Sequence, residues 1–416
     1  MKIAVLMAGG SRFDPHAFDY ITHCLRYLAQ KGHVVNVVDY KYTKNEKTIE
    51  RTAGLTINRL TVFGLDEGSL YKYLRVKPIT PGWVVERVLW GFTLTKYFLQ
   101  TTRAFDVVFC NYSFATVLLS IAFPRERKKL IHYSMVLIEE GNHGLLNKFR
   151  ILLHSFVGRL ATISITENAT AARCLVAAGL KSDKVVSIEP GIDLSFWKPV
   201  NFEEVTRLFS LENKIVILFQ AKIVQRKGVE YLIKAANILV NQKGHRNLVF
   251  LIVGPAKGGV GIPPRSEELR YVESLSELIK SLKLDQHVKL VIGWYRMEKL
   301  REFYSAADIY VLPTLRDLTP HSIKQAMALG KPIVTTSVGW VPTLITEGVN
   351  GFIVEPKDEV ALAGAIEKLI MSPQLRRQMS INNLAKVKNC WSIEEKARIW
   401  EELFLNVYQG SLKPTS

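Results

Sequence analysis

Three loops in this sequence gather residues whose chemistry suits an anionic ligand. The densest is Val311-Leu312-Pro313-Thr314-Leu315-Arg316-Asp317-Leu318-Thr319-Pro320-His321-Ser322, where an apolar run ends at Pro313 and a helical pattern opens. Thr319 suits the N-cap and Pro320 the first helical position. The free N–H groups of that helix start, near His321, can hold phosphate oxygens. Asp317 stands just before the helix and Gln325 follows about two turns later. An ordinary, well-capped βαβ unit would read the same way. In the second loop, Gln220-Ala221-Lys222-Ile223-Val224-Gln225-Arg226-Lys227-Gly228 sets three cations between a strand and a helix. Lys222 and Lys227 could converge on a diphosphate, or be solvated as surface lysines usually are. The third loop is Gly9-Gly10, after the first apolar run and before Asp14-Pro15. Glycines there either let the backbone approach a ligand or simply close a tight turn. His132, after Leu130-Ile131, is a structural histidine or a site residue.

These loops need a scaffold that presents strand ends. Short apolar runs predict strands over 2–8, 33–40, 106–112, 129–135 and 161–166, then over 214–220, 247–254, 288–294, 308–314, 331–336 and 351–355. Most are apolar on both faces, as strands covered by helices on each side must be. Helical patterns fall between them, at 17–31, 228–242, 267–282, 297–307 and 322–329. The alternation predicts an α/β protein with doubly wound parallel sheets. The strands are too many for one open sheet, so two Rossmann-like domains are expected, 1–200 and 201–390. The break is marked by Lys198-Pro199 and the charged residues after it. Residues 391–416 are expected to form an amphipathic helix and tail that return to the N-terminal domain, opened by a capping box of Ser392 with Glu395. Ligands of such sheets bind at the carboxyl ends of strands, where all three loops lie.

The chain has 416 residues, 48% of them hydrophobic and 22% charged, which excludes wholesale disorder. Lys+Arg less Asp+Glu is 55 − 38 = +17, a balance that favours phosphates, nucleic acid or anionic headgroups. The charge is spread along the chain without a nucleic-acid motif, so nucleic acid is not expected as a partner. Cys24, Cys110, Cys174 and Cys390 are far apart and fit no metal-ligand spacing; they are expected to be reduced and buried. With no signal-peptide pattern and no run of ~18 apolar residues, a cytoplasmic protein is expected. Two basic segments nevertheless suit an anionic membrane surface: Tyr71–Lys77, and Leu145–Leu160 with Lys148, Arg150 and Arg159 among its apolar residues. Either could equally be an ordinary element with a solvated face. The aromatic stretch Trp83–Gln100 is expected to pack in the core.

Taken in order, the motifs resemble family 4 of the retaining nucleotide-sugar glycosyltransferases, which have the GT-B fold. Thr162–Glu167 followed by Glu189-Pro190-Gly191-Ile192-Asp193 is similar to the family's segment leading to its NGVD turn. Gln220-Ala221-Lys222…Lys227-Gly228 resembles its GR…KG loop, and Tyr304-Ser305-Ala306-Ala307-Asp308 its YxxAD stretch. Ala326–Val334 is similar to its EAMAxGxPVV helix, and Gly348-Val349-Asn350-Gly351-Phe352 to its DGxxG turn.

The resemblance implies two domains facing across a cleft, the first for the acceptor and the second for the donor. It implies that Lys222 and Lys227 bind the donor diphosphate, with Lys222 standing where the family has arginine. Asp317 and Gln325 take the family's two-glutamate positions, the first toward the donor sugar and the second toward the ribose. His132 is implied to contact the donor sugar at the reacting centre. Gly9, Gly10, Trp294, Leu318, Thr319, Pro320 and His321 complete the implied donor surround. No metal or other cofactor is expected, the nucleotide-diphosphate sugar being a co-substrate. The implied acceptor is a hydroxyl on a glycan or lipid-linked saccharide, with the enzyme peripheral at the inner membrane face. A degenerate nucleotide-sugar-binding or scaffold protein and a nucleotide-sugar 2-epimerase are the alternatives.

Overall fold

The computed structural model describes residues 1–7, 20–41, 47–61, 81–101, 104–111, 113–134, 145–256, 266–317 and 320–411. Gly9, Gly10, Leu318, Thr319 and the segment 71–77 lie outside the described residues. The chain divides into two compact units, Met1–Gly191 with Ile393–Ser416, and Ile192–Ser392. The first holds strands β1 (Lys2–Leu6), β2 (Val34–Tyr40), β3 (Ile49–Thr52), β4 (Leu55–Leu60), β5 (Val107–Cys110), β6 (Leu130–Tyr133), β7 (Ile163–Thr166) and β8 (Val185–Ser187). Its helices are α1 (Tyr20–Gln30), α2 (Pro81–Thr101), α3 (Ser113–Ala122), α4 (Leu145–Leu160) and α5 (Ala169–Ala177). The second has strands β9 (Ile215–Gln220), β10 (Leu248–Gly254), β11 (Val288–Ile292), β12 (Ile309–Leu312), β13 (Ile333–Thr336) and β14 (Gly351–Val354). Its helices are α6 (Glu203–Phe209), α7 (Val229–Asn237), α8 (Ser266–Ser281), α9 (Met297–Ala306), α10 (His321–Ala328), α11 (Val341–Leu344), α12 (Glu359–Met371) and α13 (Pro373–Cys390). The last helix, α14 (Ile393–Gln409), belongs to the first unit.

The first sheet has eight strands in the order β3-β4-β2-β1-β5-β6-β7-β8, parallel throughout except for the β3–β4 pair. Central strands such as β5 and β7 bury every residue, as parallel strands covered on both faces do. One face is closed by α1 and α14. Along α14, Ile393, Ala397, Trp400, Phe404 and Val407 recur at helical spacing and pack with Ile3, Val5, Val35 and Phe109. Trp400 Nε1 donates to the buried Tyr20 hydroxyl at 2.5 Å, and its ring lies 5.0 Å from that of Phe109. The other face takes Trp90, Leu94 and Phe98 of α2, which pack with Ala4, Leu6 and Val108. Phe92 of the same helix is exposed, so α2 is a core helix that turns this aromatic outward.

The second sheet is fully parallel, in the order β11-β10-β9-β12-β13-β14. Counted from its first strand this is 3-2-1-4-5-6, the doubly wound order whose winding reverses between β9 and β12. The unit begins at Ile192, earlier than the expected break after 200. The reason is packing: Ile192, Phe196 and Trp197 are buried in the second core, with Trp197 edge-on to Tyr304 at 5.6 Å. The cysteines also differ in part from expectation. Cys24 and Cys110 are buried, but Cys174 is half-buried and Cys390, at the end of α13, is exposed. Among the described residues no helix is long and apolar enough to cross a membrane.

Because Trp400 fills the first unit's core from a distant part of the chain, Trp400→Ala should destabilise that unit by about 3–5 kcal/mol. Urea unfolding followed by tyrosine and tryptophan fluorescence should show the loss.

Candidate donor site

In the second unit the winding reverses between β9 and β12, so the loops after those strands lie where a ligand is expected. The loop after β9 carries Lys222, Arg226 and Lys227; the loop after β12 runs through Thr314 to Asp317. Backbone bonds tie the two together. The Arg226 carbonyl accepts from Leu315 N at 2.8 Å and from the Thr314 hydroxyl at 3.1 Å, while Arg226 Nη1 donates to the Arg316 carbonyl at 3.1 Å. Gly228 makes that approach possible. Its φ is +67°, and a Cβ there would stand 2.0 Å from the Pro313 carbonyl oxygen. Gly254, at the end of β10, is tighter still, with a Cβ position 1.8 Å from the Ala221 carbonyl oxygen.

The stitching brings Lys227 onto Asp317. Lys227 Nζ donates to Asp317 Oδ2, and only 7% of the lysine is exposed. Burial pushes the Lys227 pKa down from the usual lysine value, against the pull of Asp317. Lys222, half-buried, is also lowered, first by burial and then by the Arg226 charge. The loops therefore hold four cations, Lys222, Arg226, Lys227 and Arg316, against one carboxylate, with a surplus of positive charge at the carboxyl end of β9.

The helix start differs by one residue from expectation. Pro320 occupies the N-cap position with φ −73° and ψ 89°, and α10 begins at His321, which is exposed. The helix ends with Lys331 N donating to the Ala326 carbonyl and Gly330 N to the Met327 carbonyl, with Gly330 at φ +68°. That double bond is the Schellman stop, which needs a left-handed residue.

Gln325 faces the interior on one side. The Tyr304 hydroxyl, fully buried, lies 3.2 Å from Gln325 Oε1, 2.9 Å from Gln220 Oε1 and 3.2 Å from the Ser322 carbonyl. One phenolic proton is thus shared among three acceptors, and burial raises the Tyr304 pKa well above its usual value. Beside Gln325, Lys324 is wholly buried, its Nζ 4.8 Å and 4.7 Å from the ring centres of Trp340 and Trp391. Trp294, after β11, is 44% exposed.

His132 lies elsewhere, at the carboxyl end of β6 in the first unit. It has no exposed surface; its Nε2 is 3.3 Å from His154 Nδ1, and its Nδ1 is 3.5 Å from the Thr116 hydroxyl. Ser134 Oγ lies 3.1 Å from the same His154 nitrogen. Burial first, and then the His154 imidazole, hold the His132 pKa well below its usual value, so it is neutral at pH 7.

The structure thus gathers Lys222, Lys227, Asp317, Pro320, His321 and Gln325 around the β9 and β12 ends. Sequence reasoning gave no role to Tyr304, Gln220 or Gly254. Tyr304 was legible only as part of a motif, and Gly254 as a glycine ending a wholly apolar strand.

Two known protein families match this chain. "Glycosyl transferases group 1" covers residues 202–386 and "Glycosyltransferase Family 4" covers 19–196. A D-inositol 3-phosphate glycosyltransferase of Geodermatophilus obscurus is 26% identical over 90% of this chain and 83% of its own length. The capsular polysaccharide biosynthesis glycosyltransferase CapM of Staphylococcus aureus is 32% identical over 46% of each chain. The chain therefore spans most of the first relative and about half of the second. Among solved structures, sucrose-phosphate synthase of Thermosynechococcus elongatus superposes with a TM-score of 0.75 at 19% identity, covering 99% of this chain and 100% of that one. HepE of Anabaena, solved in complex with UDP, gives 0.72 at 18% identity over 98% and 100%. The family match and the relatives thus define a group 1 glycosyltransferase that moves a sugar from a nucleotide sugar. In chain order it carries a glycosyltransferase family 4 domain and a group 1 glycosyltransferase domain, in the GT-B fold.

Gly228→Ala should destabilise the second unit by more than about 2 kcal/mol, because the clash adds to the left-handed backbone cost. Gly348→Ala, at φ +71° with nothing within 4 Å, should cost only about 1 kcal/mol. Denaturant titration of the two variants makes the comparison.

Proposed function

We propose that this protein is a retaining glycosyltransferase whose donor is a nucleoside diphosphate sugar held at the β9 and β12 strand ends. The observation that carries the reading is the surplus of cations there: Lys222, Arg226, Lys227 and Arg316 against Asp317. A leaving diphosphate gains charge as the glycosidic bond breaks, and fixed cations aimed at it stabilise that change. The start of α10 adds N–H groups from His321 onward. Asp317, already tethered to Lys227, takes the donor sugar hydroxyls. Gln325, held by Tyr304 on its carbonyl side, presents its amide N–H groups to the ribose. Leu318 and Thr319 belong to the same proposed surround, as does Trp294 beside the base.

In this reading the acceptor hydroxyl attacks the anomeric carbon from the face that the diphosphate leaves. Its proton passes to a donor phosphate oxygen as the new C–O bond forms and the old one breaks. His132 enters as a neutral imidazole, a hydrogen-bonding partner for His154 rather than an acid. No metal or other cofactor is assigned to this chemistry.

A glycan or lipid-linked acceptor near an anionic membrane surface fits one further observation. On α4, Lys148, Leu152, Phe156 and Arg159 follow one another at three- and four-residue steps and all are exposed, Leu152 by 57% and Phe156 by 50%. Such a stripe of cations and large apolar groups suits an interfacial position.

The test is calorimetric titration of the whole protein with UDP, GDP and ADP, without added metal. UDP comes first, because HepE, of the same fold, was solved with UDP and with UDP-glucose. One nucleotide should bind, and Lys227→Ala should weaken it about 10- to 100-fold. Binding to none of the three would overturn the donor reading and favour a scaffold protein. Gln325→Glu should keep or improve binding; its loss there would overturn the placement of the ribose. Binding should also fall with rising pH earlier than an ordinary lysine would dictate, since the lowered pKa of Lys227 means its charge goes first.

A further inference from the structure

The first unit has a polar cavity of about 360 Å³, lined among others by Lys41, Arg59, Thr61, Thr93, Lys96 and Tyr97. Lys41 directly follows β2 and Thr61 directly follows β4, with Lys41 N donating to the Leu60 carbonyl at 2.8 Å. The cavity therefore opens at the carboxyl ends of two parallel strands, flanked by α2. It sits away from the strand pair β1 and β5, between which the first sheet's winding reverses.

Its charge is unbalanced. Arg59 is 2% exposed; Nη1 donates to Glu50 Oε2 at 2.5 Å, and Nε finds no hydrogen-bond partner among the described residues. Neither Lys41 nor Lys96 meets a carboxylate among the described residues. Of the acids on the surrounding strands, Glu50 is held by Arg59, and Asp39 stands beside Arg59 in the β2–β4 register. Among the described residues, three cations less two carboxylates leave the pocket net positive. A buried guanidinium with a donor unmet is costly unless an acceptor arrives. The volume suits a group of sugar size, and the threonine and tyrosine hydroxyls would serve sugar oxygens.

We infer that this cavity holds an oxyanion, a phosphate or carboxylate, borne by the acceptor. The inference rests on the glycosyltransferase reading above and adds the acceptor's chemical class. Being off the switch point, the cavity grips a part of the acceptor remote from the reacting hydroxyl, where binding energy can be used for positioning.

The test uses the full-length protein and four soluble probes: inorganic phosphate, glucose 6-phosphate, glucuronate and uncharged glucose. Calorimetry should show that the charged sugars bind and that glucose binds at least about tenfold more weakly. Lys41→Gln and Lys96→Gln, at positions that leave the buried Arg59 in place, should each weaken the charged sugars about tenfold while leaving nucleotide binding unchanged. Equal binding of glucose and its charged relatives would overturn the inference, as would loss in Lys227→Ala with retention in both first-unit variants. Nucleotide titration in parallel separates the two readings: nucleotide bound but no oxyanion sinks only the acceptor class, whereas no nucleotide bound sinks the donor reading. Competition by phosphatidylcholine vesicles carrying phosphatidylglycerol, against plain phosphatidylcholine, would assign the oxyanion to a lipid; absence of competition would assign it to a soluble saccharide.

Discussion

A lysine that is almost wholly buried keeps its charge only if an anion stands against it, and in the second unit Asp317 meets Lys227. Much of that unit's local geometry serves this contact. The two residues lie ninety positions apart, on loops after different strands, and come together only because β9 and β12 are neighbours in the sheet. The Arg226 carbonyl fixes the loops by accepting from Leu315 and Thr314, and Gly228 lets the backbone come close enough. A pair of this kind is weak evidence for stability, because two charges have been taken from water to make it. Its value here is positional: the cation is held at the strand mouth, aimed by a partner that is itself a candidate ligand group.

Behind this pair lies a neutral layer. Tyr304 joins Gln220, Ser322 and Gln325 through one hydroxyl, and Tyr310 donates to the Gln220 carbonyl at 3.0 Å. An amide at 325 fits that layer without adding a second buried carboxylate near Asp317. Lys324 anchors the far side of α10 by lying between two indole rings, an arrangement worth more when desolvated than at a surface. The helix whose N-terminus is a candidate donor contact is thus held by side-chain contacts that need no ligand.

Most of this architecture was legible from sequence because parallel strands announce themselves. Runs such as Leu248–Gly254 are apolar at every position and bounded by turns, and the structure buries all seven residues. What escaped was the short edge strand β8 and the β3–β4 hairpin. Its turn, Ala53-Gly54, has both residues at positive φ, 50° and 78°, but lacks the asparagine or aspartate that would flag it. β4 then places Arg59 where Leu55 and Ile57 predict another apolar residue. The charged loops were visible as candidates, whereas Tyr304 was not, since a buried phenol among apolar residues carries no sign of its partners until the sheet has formed. His132 was legible as a strand-end histidine, but the companion imidazole of His154 comes from a helix that only tertiary packing brings near.

The return of α14 to the first unit carries a consequence for how this chain is made. Trp400, Phe404 and Val407 complete a core whose first strand begins at Lys2. As the ribosome extends the chain, the second unit is fully emerged while the first still lacks its closing helix. Domains tend to fold as units as they appear, so the order of completion is the reverse of the order of synthesis. The nascent first sheet waits with the apolar face that α14 will cover still open, and the inserted unit is finished before the unit that surrounds it in sequence.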